Sequence, residues 1–140
     1  MLIRTFQLSD YASASNLLET VLADCCYEET MDAFAKQLSW DGELILVAEV
    51  NHQIAGLIIG TIDKNKGYYY RIAVHQDHQR KGIGKLLVNT LRERFEKRKV
   101  NKILVTLDSH NENLIPLYES LGFSPADFFR SFQNLSILSS

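Results

Sequence analysis

The chain has little cysteine to work with: two residues, adjacent at Cys25 and Cys26. Neighbouring thiols fit neither a disulfide of ordinary geometry nor a Cys-x-x-Cys pair, and no histidine stands beside them, so no metal site is expected. Unpaired thiols of this kind imply a reducing compartment, and the expected location is the cytoplasm. No run of 18 or more apolar residues occurs, which excludes an ordinary transmembrane helix and with it a membrane role. The opening Leu2-Ile3-Arg4-Thr5-Phe6 lacks the basic-then-apolar pattern of a secretion signal. Also missing are the Gly-x-x-x-x-Gly-Lys-Ser/Thr loop of P-loop nucleotide binders and the third glycine of the dinucleotide-binding fingerprint. Repeats, linkers and low-complexity tracts are absent.

What remains is a chain of 140 residues with an ordinary globular composition, 46% hydrophobic and 23% charged. That length predicts one domain, residues 1–140, with a core that needs no staples. The net charge of −2 hides an asymmetry. Residues 1–63 carry ten acidic groups against two basic ones, and residues 64–140 carry thirteen basic against seven acidic. An anionic ligand therefore belongs to the second half, and the acidic half either faces a cationic partner or simply solvates helix faces. A nucleic-acid role would need a broad basic surface, which the acidic half opposes.

Periodicity predicts a mixed α+β chain. Leu2 to Gln7 reads as a strand. Ser9 or Asp10 can cap a helix reaching about Cys25, with Leu17, Leu18, Val21 and Leu22 as its apolar stripe. A second helix is predicted from Glu28 to Leu38. Glu43 to Val50, Ile54 to Ile62 and Tyr68 to Val74 form an antiparallel meander, turning at Asn51-His52 and at Lys64-Asn65-Lys66-Gly67. Ile83, Leu87, Leu91 and Phe95 then share one face of a long helix. Ile103 to Leu107 is a short strand parallel to the one before that helix, because a crossover helix joins them. Leu114, Leu117, Tyr118 and Leu121 form a last helical stripe that Gly122 stops. Weaker strand patterns follow around Phe128–Gln133, and the apolar tail through Leu138 would complete the core or join two copies as a homodimer.

Two stretches carry chemistry. Gln79-Arg80-Lys81-Gly82-Ile83-Gly84-Lys85 lies between a strand and a helix. The first turn of a helix has amides without internal partners and the positive end of the macrodipole. Glycine lets an anion approach them, and Arg80, Lys81 and Lys85 add charge, so the turn suits phosphate. A tight turn with a solvated basic edge fits the same residues. The second stretch runs from Asn111 to Phe123. Pro116 is harmless only in the first turn of a helix, which places the helix start near Asn113. Tyr118 on its apolar stripe faces either the core or a cleft.

Together the two stretches resemble the GCN5-related N-acetyltransferase family over nearly the whole chain. Gln79-Arg80-Lys81-Gly82-Ile83-Gly84 is similar to that family's Gln/Arg-x-x-Gly-x-Gly/Ala motif for acetyl-CoA. Ile72-Ala73-Val74-His75 resembles the end of its fourth strand, and Asn111, Tyr118 and Leu121-Gly122-Phe123 its later asparagine-to-tyrosine element. Gln76 and His78 depart from the pattern, standing where a proline and an aromatic residue are usual.

The resemblance implies the acyl-CoA N-acyltransferase fold: a central, mostly antiparallel sheet with one parallel β-helix-β crossover. It implies acetyl-CoA as co-substrate and transfer of its acetyl group to a primary amine of a small molecule or protein. The backbone of Ile72, Ala73 and Val74 would pair with the pantetheine arm, where the strands flanking the long helix should splay. Gln79, Arg80, Lys81, Gly82, Ile83, Gly84 and Lys85 would hold the pyrophosphate, with Asn111 and Tyr118 near the reactive end. A backbone N–H near Val74 would stabilise the oxyanion and Tyr118 would protonate the leaving thiolate. Glu49, Tyr69, Tyr70, His75, Asp108 and a water chain remain open as the base. A non-catalytic acyl-CoA sensor is the competing expectation.

Overall fold

Apolar alternation and tight turns build the sheet. The computed structural model describes residues 1–22 and 24–130, with the backbone alone at Asp24, Cys25 and Arg130. Strands β1 (Leu2–Thr5), β2 (Ile45–Val50), β3 (Gln53–Asp63) and β4 (Lys66–Val74) pair antiparallel in chain order. β5 (Lys102–Leu107) joins β4 in parallel, and β6 (Phe128–Arg130) joins β5, also in parallel. The crossover from β4 to β5 matches the expectation from sequence; β5 to β6 adds a second parallel connection. The rest of the segment Phe128–Gln133 and the apolar tail through Leu138 lie outside the described residues.

Helices cover both faces. α1 (Tyr11–Val21) and α2 (Asp24–Asp41) lie on one side, α3 (Ile83–Lys97) and the short α4 (Ile115–Ser120) on the other. The strands divide their side chains accordingly. On β2, Ile45 and Val47 join Leu17, Leu18 and Phe34 of the front helices, while Leu46 and Ala48 join Leu87, Leu91 and Phe95 of α3.

Several local expectations shift. Asp10 stands at the N-cap position of α1 but makes no side-chain cap bond to that helix. Its carboxylate instead meets Arg4 at 2.7 and 2.9 Å and accepts the Gln7 N–H at 2.9 Å. A guanidinium within reach outcompetes a helix amide for a carboxylate. α2 begins at Asp24 and runs to Asp41, past both ends of the predicted Glu28–Leu38. Glu43 and Leu44 sit in a 3₁₀ turn rather than in β2. Gly67 lies within β4, not in the preceding turn, and a side chain there would strike Phe95: an added Cβ would come within 2.9 Å of the ring. Gly60 on β3 is equally restricted, 2.7 Å from Leu91. The two glycines form a shallow seat on which the apolar stripe of α3 rests close to the sheet.

Candidate active site

The β4–β5 pairing stops early. Its register runs from Lys66↔Lys102 to Tyr69↔Val105, although β4 continues to Val74 and β5 to Leu107. Beyond Tyr69 the two strands are no longer paired, and the edge of β4 carrying Ile72, Ala73 and Val74 has no strand partner on that side among the described residues. On its other edge β4 stays paired with β3 through Gly56↔Val74.

Next to this split, the chain leaves β4, makes a 3₁₀ turn at Gln76–His78 and enters α3. Arg80 takes a left-handed conformation (φ 65°), unusual for a non-glycine residue and a local strain. Gly82, the N-cap of α3, has φ 81° and no atom within 4 Å of where a Cβ would stand. The first backbone bond across that cap is Leu86 N–H to Gly82 O at 3.1 Å, so the amides of Ile83, Gly84 and Lys85 precede the internal ladder. Arg80, Lys81 and Lys85 are exposed and make no ion pair among the described residues. A glycine cap, uncapped amides and three cations without an ion-pair partner among the described residues suit an anion.

Split and turn open on one cleft of about 420 Å³. Ile72, Ala73, Val74, Arg80, Gly82 and Lys85 contribute to its walls. Gln79 lines it too, and its Nε2 donates to Val74 O at 3.0 Å, tying the turn back to the strand end. Lys81 is not among the lining residues. Sequence reasoning missed the opposite wall, His110, Asn113, Leu114 and Leu117, together with Val21 and Leu22 from the end of α1. The leucines and valine read as helix core stripe, and periodicity alone does not distinguish a core contact from a cleft contact. His78 also lines the cleft, and its Nδ1 is shielded from solvent without a hydrogen-bond partner among the described residues.

Asn111 does not point at the cleft as its place in the chain suggests. It is buried; its Oδ1 accepts the Asp108 N–H at 2.9 Å and its Nδ2 donates to Thr106 O at 2.8 Å. Both ends of the amide are spent shaping the loop after β5. Tyr118 is also buried, on α4, with its ring 5.7 Å from that of Tyr69 and 6.0 Å from that of Phe123. Pro116 occupies the first turn of α4, as its missing N–H requires, although the cap is Leu114 rather than Asn113. Burial pushes the Tyr118 phenol well above its ordinary range; Tyr69 adds to the rise and Arg71 opposes it. Tyr118 is not among the residues that line the cleft.

The groups considered as base are mostly engaged. Glu49 meets Arg4 at 3.1 Å, far along the sheet at β1. Tyr69 donates to Val88 O at 3.0 Å, and burial pushes its phenol up to about 12. Burial likewise raises Tyr70. His75 Nδ1 accepts the Asp77 N–H at 3.2 Å, bracing the 3₁₀ turn. Asp108 is paired with Arg71. Burial alone would raise its carboxyl, but hydrogen bonds from Arg71 and from the His110 N–H outweigh that and hold it below the usual range. Among the described residues no cluster of His, Cys, Asp and Glu could hold a metal ion. No described helix is long and apolar enough to cross a membrane.

A mixed sheet that splits beside a glycine-capped helix start is suited to an extended, phosphate-bearing ligand. The chain belongs to the acetyltransferase (GNAT) family, whose model matches residues 13–123. An acetyltransferase of Pectobacterium atrosepticum is 32% identical over 128 residues, spanning 91% of this chain and 90% of that protein. The ribosomal-protein-S18-alanine N-acetyltransferase of Escherichia coli has a similar structure, with TM-score 0.70, 28% identity, and 88% of this chain and 77% of that one covered. A GNAT acetyltransferase of Brucella melitensis solved with acetyl-CoA shares the fold, with TM-score 0.72 at 20% identity over 89% and 83% of the two chains.

Proposed function

We propose that this acetyltransferase moves the acetyl group of acetyl-CoA directly onto a primary amine. The observation that carries the reading is the continuity of one cleft from the uncapped start of α3 to the unpaired edge of β4. The residues fit the coenzyme. Gly82 leaves room for a phosphate against the backbone, the amides of Ile83, Gly84 and Lys85 donate to it, and Arg80, Lys81 and Lys85 neutralise it. Gln79 supports the turn through Val74 O. The backbone of Ile72, Ala73 and Val74 takes the pantetheine amides as an added strand. Asn111 acts on the coenzyme through the loop that it shapes.

Chemistry follows at the split. A neutral amine attacks the thioester carbonyl, a nitrogen–carbon bond forms and the carbon–sulfur bond breaks. A backbone N–H near Val74 stabilises the charge that develops on oxygen. Tyr118, neutral at physiological pH, gives its hydroxyl proton to the departing sulfur, and the proton shed by the amine returns to the phenolate through solvent. The E. coli neighbour, by its name, acetylates an alanine of a ribosomal protein, which supports a primary amine as acceptor. The adjacent cysteines of the sequence support a cytoplasmic site of action.

The test is calorimetric titration with coenzyme A, followed by thiol release from acetyl-CoA across a panel of polyamines, amino sugars, lysine and peptide N-termini. Binding with turnover of one amine class is the expected result. Binding without turnover on any amine would favour an acyl-CoA sensor, and no heat of binding would overturn both readings.

A further inference from the structure

The alternation of β4 breaks once. Ile59 of β3 pairs with Arg71 and Gly60 with Tyr69, which leaves Tyr70 without an opposite residue. Such a bulge re-aims the side chains beside it. Arg71 reaches across the split from there. Its Nη2 donates to Asp108 Oδ2 at 3.1 Å, its Nη1 lies 3.4 Å from Oδ1, and the pair is nearly sealed from solvent, 1% and 3% exposed. Nε donates to Thr30 Oγ1 on α2 at 3.2 Å, and the guanidinium lies 5.0 Å over the Tyr70 ring.

The pair stands where backbone pairing has already ended, beyond Tyr69 on one strand and Val105 on the other. The chain leads from Arg71 directly into Ile72–Val74, one wall of the cleft. It leads from Asp108 into the other wall, and Asp108 organises that wall as well. Its Oδ1 accepts the His110 N–H at 2.8 Å, and its own N–H is held by Asn111 at 2.9 Å. His110, Asn113 and Leu114 hang from this loop. A sealed ion pair seldom adds net stability compared with apolar replacements, so its presence here fits a geometric duty.

We infer that Arg71 and Asp108 are positioning residues, a strut that fixes the separation of the two cleft walls and ties it to α2 through Thr30. The strut acts on the acyl end of the coenzyme, while the phosphate end is held independently at the start of α3. The inference rests on the acetyl-transfer reading for its kinetic consequence alone; the wall geometry is separate.

The deciding variant is R71M/D108N, which removes both charges together and keeps an amide oxygen for the His110 N–H. Coenzyme A affinity should stay within about threefold while kcat at saturating acetyl-CoA falls by about tenfold or more, as loss of orientation at the reacting centre requires. Hydrogen exchange of the coenzyme-free protein supplies the second arm: amides of residues 70–74 and 109–114 should lose protection together. Wild-type kcat in the folded variant, or a kcat loss matched by an equal loss of coenzyme affinity, would overturn the inference. Unchanged exchange in both segments would overturn it even if wild-type protein acetylates no amine, which is how its failure differs from failure of the enzymatic reading. Should the double variant not fold, Thr30→Val removes one partner of Arg71, together with a contact to Cys26 Sγ within α2, and it must show the same paired loss of protection for the strut to stand.

Discussion

At the scale of single residues, the proposed acid chemistry rests on Tyr118. Its ring packs against Tyr69 and Phe123, so removing the hydroxyl alone leaves the packing intact. Tyr118→Phe should therefore keep its thermal midpoint and coenzyme A affinity while kcat drops about a hundredfold, the usual scale of a lost general acid. An unchanged kcat at saturating acetyl-CoA would remove the residue from the mechanism. The pH profile has a definite sign. Burial raises the Tyr118 phenol, so the protonated form persists further up the scale than for a free tyrosine. The rate should thus hold or rise with pH as more of the amine becomes neutral. A fall in kcat between pH 7 and about 9.5, at or below the ordinary phenol range, would contradict the assignment. Asn111 teaches the opposite lesson. Its place in the chain resembles that of a cofactor-contacting asparagine, and only the hydrogen bonds to Asp108 and Thr106 reveal a side chain spent on the loop.

Among the elements, α3 joins fold to function. Its stripe of Ile83, Leu87, Leu91 and Phe95 is fully legible in the sequence, and all four are buried. The seat beneath it is not legible, because a glycine in a strand pattern says nothing about which helix will lie over it. Gly67→Ala should force Phe95 aside and cost about 1–3 kcal/mol in denaturant unfolding, the range for overpacking a close contact. The glycines of the turn should separate by mechanism. Gly82→Ala meets no atom but must hold φ 81°, which costs about 1–2 kcal/mol and displaces the anion-binding backbone. Gly84→Ala would place its Cβ 3.4 Å from Leu117, an ordinary contact. Calorimetry should show coenzyme A affinity reduced in the first and nearly unchanged in the second; equal effects would mean that backbone conformation at Gly82 is not what the ligand reads.

For the molecule as a whole, the charge split between the two halves is partly consumed by the fold. Arg98 at the end of α3 pairs with Asp41 and Glu43 of the acidic half, and Arg94 donates to Glu43 O at 2.7 Å. Among the described residues, Arg80 and Lys85 at the cleft and Lys81 beside them make no ion pair. Coenzyme A binding should accordingly weaken severalfold between about 50 and 300 mM salt, since the Debye length falls below about 10 Å over that range and the contacts are exposed. Salt-independent affinity would argue that the amides alone hold the phosphates.

The sequence by itself determined the elements, their order and the family, because apolar periodicity, the Gly82 turn and the Tyr118 register are local properties of the chain. Tertiary structure decided where β4 and β5 part, that Tyr70 is bulged, and that Arg71 spans the gap to Asp108. It also decided which leucines face the cleft rather than the core. These depend on strand register and on partners distant in the chain, and a one-residue slip in pairing reverses the face of every side chain that follows.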